Sequence, residues 1–300
     1  MISQIQNLSN QRKGVTFAVI AHLIWGAMAS YLGLIRTIDP LEIAVHRGLW
    51  SIPIAGLVVW RMGLVEETIR VLRNGRYMAI LALTSAIIVF NWTIYIWCIE
   101  HGRTLDASLG YFINPLMNVA VGFIFLRERF TPPQMLAIGL AVVAVLVETI
   151  ATGVFPAIGL SLAGTFCLYG LFRKMVPVSP VTGFFIEVLI IALPLLALDY
   201  WVANHGGTHF GTSTFNTLML MGCGAFTSGA LIFYALSLKL LRYSTAGLLQ
   251  YISPSLVFLT AIFVFGEKLD PWKLAAFAII WLALAIYSWS SLRMELQPAS

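Results

Sequence analysis

The sequence predicts an all-α, polytopic membrane protein. Ten transmembrane helices form two five-helix halves of opposite orientation, with both termini in the cytoplasm. Three observations predict this. The first is composition: of 300 residues 59% are hydrophobic and 10% charged, against about 25% charged in an average soluble domain. Such a chain cannot cover a water-facing surface, and its continuous apolar runs approach the ~20 residues a helix needs to cross the hydrocarbon core. A transmembrane β-barrel would instead alternate apolar and polar residues over segments of about 10, and runs such as Met135 to Val147 exclude it. The second is an internal repeat. Moving the sequence by 139 residues places Arg103 on Arg242, Ala107 on Ala246, Ile113 on Ile252, Pro115 on Pro254, Glu128 on Glu267 and Pro132 on Pro271, without a gap. The stretches ASLGYFINP…LRERFTP and AGLLQYISP…FGEKLDP are two copies of one unit, and duplicated membrane halves are a common transporter architecture. The third is the distribution of Lys and Arg. With the N-terminus inside, thirteen fall on the cytoplasmic side and four (Arg36, Arg103, Lys268, Lys273) outside, while Arg47 lies within a span. That bias fixes both ends inside.

The elements follow in order. Residues 1–13 are polar and read as a cytosolic N-terminal segment. The first span, about Gly14–Ile35, has the flanks of a signal peptide, Arg12 and Lys13 before and Ala27-Met28-Ala29 after. Cleavage there would delete one helix and unbalance the halves, so it is read as a span. Further spans are expected at Leu41–Met62, Tyr77–Ile99, Leu105–Leu126 and Pro133–Ile150, completing the first repeat, residues 14–150. The second repeat, 151–290, supplies Ala157–Met175, Val181–Trp201, Phe215–Leu238, Thr245–Phe265 and Pro271–Ser290, and 291–300 form a cytosolic tail. The stretch from Asn204 to Ser213 reads as a loop. Because five is odd, the halves lie in opposite orientations, an inverted-topology repeat about an axis in the membrane plane.

The fourth and ninth spans carry the strongest site signal. Tyr111, Asn114 and Asn118 share one helix face, and Pro115, without an N–H, leaves the Tyr111 carbonyl without its helical donor. Gln250, Ser253 and Pro254 occupy the corresponding positions. Polar groups and broken backbone are tolerated in a bilayer only against protein or a watery cavity, so both faces are expected to meet between the halves, with Pro115 and Pro254 as hinges. Asn91, Trp92 and Tyr95 on the third span, Thr227, Ser228 and Tyr234 on the eighth, His22 and Trp25 on the first, and Thr165 and Tyr169 on the sixth complete a lining that is aromatic, hydrogen-bonding and poor in charge. It suits small zwitterions with apolar side chains, or planar cations held by ring faces. Each aromatic alone also fits an interfacial belt, and each polar pair also fits plain helix packing.

Ionisable groups inside spans are costly and therefore informative. His46, Arg47 and Glu187 are candidates for a proton or charge relay, His because its charge changes most easily near neutral pH. The competing reading is structural pairing, Arg47 with Glu100 or Asp106 at the outer surface. Glu128 and Glu267, just ahead of Pro132 and Pro271, read as hairpin-locking residues. Gly222, Gly224, Ser228 and Gly229 would let backbones approach closely. Cys98, Cys167 and Cys223 lie in spans without metal or redox spacing, and no cofactor or metal is expected. No H-E-x-x-H, G-x-S-x-G or Walker A motif occurs, which speaks against an enzyme and excludes ATP hydrolysis by this chain alone. The net charge of +5 follows membrane topology rather than nucleic-acid binding.

Several blocks resemble a known family. LIWGAMASYLGLI, EIAVHRGLWS, NWTIYIWCIEHGRTLDASLGYFINPLMNVAVGFIFLRER, LLQYISPSLVFLTAIFVFGEKL and IIWLALAIYS are similar to the RarD-like branch of the drug/metabolite transporter superfamily, the EamA type. The resemblance covers nearly the whole chain. It implies ten helices, an inverted repeat, a central cavity and a carrier of the bacterial inner membrane that exports metabolites or drugs. The expected function is export of small neutral or zwitterionic metabolites, foremost amino acids with apolar or aromatic side chains, by alternating access. Export of amphiphilic drugs or organic cations is the alternative within the class; a membrane-embedded enzyme or sensor is the alternative outside it. The expected partners are a small-molecule substrate and the lipid bilayer, with no nucleic acid; the sequence does not fix the oligomeric state, and a monomer is plausible.

Overall fold

The computed structural model describes residues 2–35, 37–100, 111, 112, 114, 117, 118, 121, 122, 124, 125, 131–153, 157–205, 208–264 and 271–296. No strand occurs among them. The continuous helices are α1 (Ile2–Gly33), α2 (Pro40–Leu49), α3 (Ser51–Arg61), α4 (Val65–Leu72), α5 (Gly75–Glu100), α6 (Pro132–Thr152), α7 (Ala157–Met175), α8 (Pro180–His205), α9 (Thr214–Leu240), α10 (Tyr243–Leu249), α11 (Ile252–Phe263) and α12 (Pro271–Leu296). The described residues between 111 and 125 are also helical. Among the described residues six stretches are long and apolar enough to cross a bilayer: Asn10–Gly33, Pro40–Arg61, Gly75–Tyr95, Pro132–Ala151, Pro180–His205 and Thr214–Leu240. Their outer faces are apolar, with Leu193 77% and Ile150 79% exposed, the inverse of a water-soluble surface.

Local chemistry explains the boundaries. Pro40, Pro132, Pro180 and Pro271 each open a helix, where the missing N–H costs nothing. Asp39 caps α2 by accepting from Leu41 N at 2.7 Å. At α6, Thr131 and Gln134 form a capping box, and the helix stops at Gly153, whose φ of 68° only glycine adopts freely. The helix α1 begins at Ile2, twelve residues before the expected start of the first span. No Pro or Gly interrupts the chain before Gly14, so the polar start simply extends the helix.

Two expected spans are broken. The second divides into α2 and α3 at Trp50, because Pro53 cannot donate to the carbonyl of Leu49. The ninth divides into α10 and α11. There Pro254 cannot serve the Gln250 carbonyl, which accepts from Ser253 N at 3.1 Å instead, a tighter turn. The amphipathic α4 has no counterpart among the expected elements; its eight residues are too few to register as a span.

The helices α1 and α9 pack along each other, as do α6 and α12. Further contacts join α1 to α11, α5 to α7 and α8, α2 to α8 and α9, and α3 to α8. The main core gathers Ala18, Ala21, Phe166, Tyr169, Phe184, Tyr234 and Tyr243. Close approach at the α2–α9 crossing needs Gly224. A Cβ there would stand 2.5 Å from Trp50 Cβ and 2.6 Å from its carbonyl carbon.

Two carboxylates tie connections to helix starts. Glu42, buried on α2, accepts from Thr208 Oγ1 at 2.8 Å, His209 N at 2.7 Å and Phe210 N at 2.9 Å. Glu67 on α4 accepts from Ser179 N at 2.8 Å and Thr182 Oγ1 at 3.1 Å at the start of α8. Glu128, Glu267 and Pro115 lie outside the described residues.

Candidate functional site

A cavity of about 170 Å³ opens between the helices. Its first wall is built by His22, Trp25, Met28 and Leu32 of α1, Arg47 of α2, Ile88, Asn91, Trp92 and Tyr95 of α5, and Tyr111 and Asn114. The other half contributes Phe166 of α7, Thr227 and Leu231 of α9, Gln250, and Ser253, Pro254 and Val257 of α11. Four pairs of lining residues are separated by the repeat distance of 139: Ile88 and Thr227, Trp92 and Leu231, Tyr111 and Gln250, Asn114 and Ser253. Duplicated positions therefore face one space.

Most of the polar and aromatic residues expected from the sequence stand in this wall: His22, Trp25, Asn91, Trp92, Tyr95, Tyr111, Asn114, Thr227, Gln250 and Ser253. Five others, Asn118, Thr165, Tyr169, Ser228 and Tyr234, are not among the lining residues. Asn118 donates to Gln250 Oε1 at 2.8 Å, and Gln250 Nε2 donates to Tyr234 OH at 2.9 Å. This relay fixes the Gln250 amide across the two halves. The Tyr234 ring also packs against His22, Trp25 and Phe166, with centroids 6.0, 5.5 and 5.6 Å away. Ser228 is fully buried in α9. Tyr169 donates to Glu187 Oε2 at 3.1 Å, away from the wall.

The three relay candidates are dispersed. No hydrogen bond or ion pair joins any two of them among the described residues. His46 stacks on Phe210, centroids 4.6 Å apart, with Asp199 Oδ1 3.9 Å from its Nε2. Glu187 accepts from Thr84 Oγ1 at 2.6 Å and pairs with Arg173 at 3.6 Å. Arg173 in turn donates to Pro180 O at 2.7 Å. Only Arg47 reaches the cavity. The side chain of Glu100 and all of Asp106 lie outside the described residues; the contacts Arg47 makes are a 3.2 Å hydrogen bond from Nε to Thr227 Oγ1 and a cation–π approach of 5.3 Å to the Trp92 ring.

The wall is mostly aromatic and aliphatic, with a few convergent polar groups, the usual make-up of a small-molecule site. Asn91 is held by donating to Leu162 O and Thr165 Oγ1, both at 2.8 Å. The His22 nitrogens and the Asn114 side-chain oxygen have no partner among the described residues. Buried and unpaired, each such group costs about 1–3 kcal/mol, a cost a ligand can offset. The cysteines Cys167 and Cys223 are free and buried. No cluster suited to a metal occurs among the described residues.

A sequence profile of the EamA-like transporter family matches residues 12–150 and again 152–289. The chain belongs to the EamA-like transporter family. It is 40% identical over 280 residues to the protein RarD of Salmonella typhi, covering 92% of this chain and 94% of that one. It is 38% identical over 296 residues to an uncharacterized transporter of Pseudomonas aeruginosa, covering 97% and 99%. A crystal structure of a protein at 15% identity superposes over 92% of this chain and 98% of its own with a TM-score of 0.70, a likeness of fold. This EamA-type chain is thus a membrane transporter of the drug/metabolite transporter superfamily, which implies a small-molecule substrate and a lipid environment.

Glu42 and Glu67 were invisible to motif reasoning, since neither sits in a recognisable pattern. The one available signal for Glu42 was a carboxylate inside the apolar block EIAVHRG.

Proposed function

We propose that this EamA-type transporter is a secondary exporter of small neutral or zwitterionic metabolites, foremost amino acids with apolar or aromatic side chains, working by alternating access in the bacterial inner membrane. The observation that carries the reading is the cavity wall, to which four pairs of repeat-related residues contribute. A site on a pseudo-symmetry axis is what two exchangeable half-molecules share.

The packing is consistent with the inverted five-plus-five arrangement, and the Lys and Arg distribution favours both ends in the cytoplasm. Helix starts recur at the repeat distance: Gly75 and Thr214, Pro132 and Pro271. Several of the contacts also map onto one another when each helix is exchanged for its counterpart. The pair α1–α9 becomes α7–α5, the pair α2–α9 becomes α8–α5, and α2–α8 and α6–α12 each map onto themselves, all of them present. In this topology the cavity lies in the outer half of the membrane. The cytoplasmic end is closed by Lys174, which donates to Leu238 O and Leu241 O at 2.8 and 2.7 Å. Closing the outer end and releasing this seal would present the same wall to the cytoplasm.

The test is counterflow in proteoliposomes with labelled phenylalanine, leucine and tetraphenylphosphonium, with and without a pH gradient. Exchange of the amino acids is expected. Exchange of the cation alone would replace this reading with drug extrusion, and no exchange of any solute would remove the transport reading for these classes.

A further inference from the structure

We infer that Arg47 anchors a carboxylate of the transported molecule, so that the substrates are organic monoanions or zwitterions with an apolar or aromatic tail and the amino group is dispensable. This rests on the transport reading above and specifies the substrate class of its cavity. A guanidinium inside a span is costly unless something neutralises it. Arg173 meets that need with Glu187 at 3.6 Å. Arg47 does not. Its Nε is held by Thr227 and its plane lies near Trp92, contacts that position the charge without neutralising it. Among the described residues no carboxylate stands within ion-pair distance of Arg47, and no hydrogen bond engages its Nη groups. They form the planar fork that matches two carboxylate oxygens.

The rest of the wall fits this handle. Trp25, Trp92, Phe166 and Leu231 supply surface for an apolar tail. The volume of about 170 Å³ is close to the ~150 Å³ of a cavity that holds one benzene ring. Among the described lining residues there is no Asp or Glu, so the charge they present selects an anion and none of them selects an ammonium by opposite sign. One guanidinium balances one carboxylate; a second anionic group would be buried unpaired. An amino group, where present, finds a neutral acceptor such as the unpartnered Asn114 oxygen.

The experiment is equilibrium binding to the purified full chain in detergent, using L-phenylalanine, 3-phenylpropionate, phenethylamine and tetraphenylphosphonium. Phenylalanine and 3-phenylpropionate are expected to bind within about tenfold of each other, and the two cations to neither bind nor compete. Arg47→Gln is expected to weaken both acids by about tenfold to a hundredfold, the range for a hydrogen-bonded charge, and to abolish the preference for acid over amine. Arg47→Lys, which keeps the charge and loses the fork, is expected to fall between. A cation binding as well as the acids, neither acid binding, or an unchanged acid preference in folded Arg47→Gln would overturn the inference. If Arg47→Gln does not fold, the wild-type panel decides alone. Counterflow separates the two claims. Acids that bind but are not exchanged would remove the transport reading and leave the anchor. Cations that exchange while the acids neither bind nor exchange would remove the anchor and leave transport.

Discussion

Asn114 lines the cavity, as does its repeat partner Ser253, and its amide oxygen is satisfied by no described neighbour. Asn114→Ala should therefore cut flux by at least tenfold while purified yield and thermal stability stay near wild type; unchanged flux would make the amide a packing group. Tyr234 has the reverse role. Its hydroxyl accepts from Gln250 behind the wall, and Tyr234→Phe leaves a buried amide N–H unpaired, a loss of about 1–3 kcal/mol. A lowered melting temperature in detergent is expected, and no change would show that Gln250 finds another acceptor. The buried pair Arg173–Glu187 is worth little as a net gain but much to keep whole, because removing one partner strands the other at about 3–5 kcal/mol. Glu187→Ala should abolish stable folding or come close to it, read as aggregation on size-exclusion chromatography; a monodisperse variant would contradict the assignment.

At the scale of helices, glycine spacing decides which approach is tight. Gly224 faces the backbone of Trp50 and Ser51, whereas at Gly229 the nearest atom to a Cβ is Ile24 Cδ1 at 3.5 Å, ordinary contact. Gly224→Ala should disrupt the α2–α9 crossing, and Gly229→Ala should be tolerated within about 1 kcal/mol; equal melting temperatures would remove the crossing argument. Helix existence was legible in the sequence because apolar length and proline starts are local. Ala157–Met175 was read to the residue, and the break ahead of Pro254 followed from one missing donor. What escaped were features set by tertiary contact or short length. The amphipathic α4 spans only eight residues, and the polar start of α1 carries no hydrophobic signal. Of the expected lining, Asn118, Thr165, Tyr169, Ser228 and Tyr234 share helices with wall residues yet are not among them, because helix rotation is fixed by neighbours and not by sequence spacing. The approach of Arg47 to Trp92 and Thr227 depends on how α2, α5 and α9 cross, which the sequence does not carry; its pairing with Glu100 or Asp106 falls outside the described residues.

For the whole molecule, the two matches to one family profile and the contacts that map onto one another point the same way. On the reading proposed above, the two halves enclose one small space and exchange roles, with the Glu42 contacts to 208–210 on the outer side and the Lys174 contacts to the end of α9 on the cytoplasmic side. The most direct test places one cysteine at Ser253, with Cys98, Cys167 and Cys223 replaced by alanine, and measures labelling by a membrane-impermeant thiol reagent in right-side-out and inside-out vesicles. The account predicts labelling from both faces, slowed by bound substrate on both. Labelling confined to one face under all conditions would contradict it.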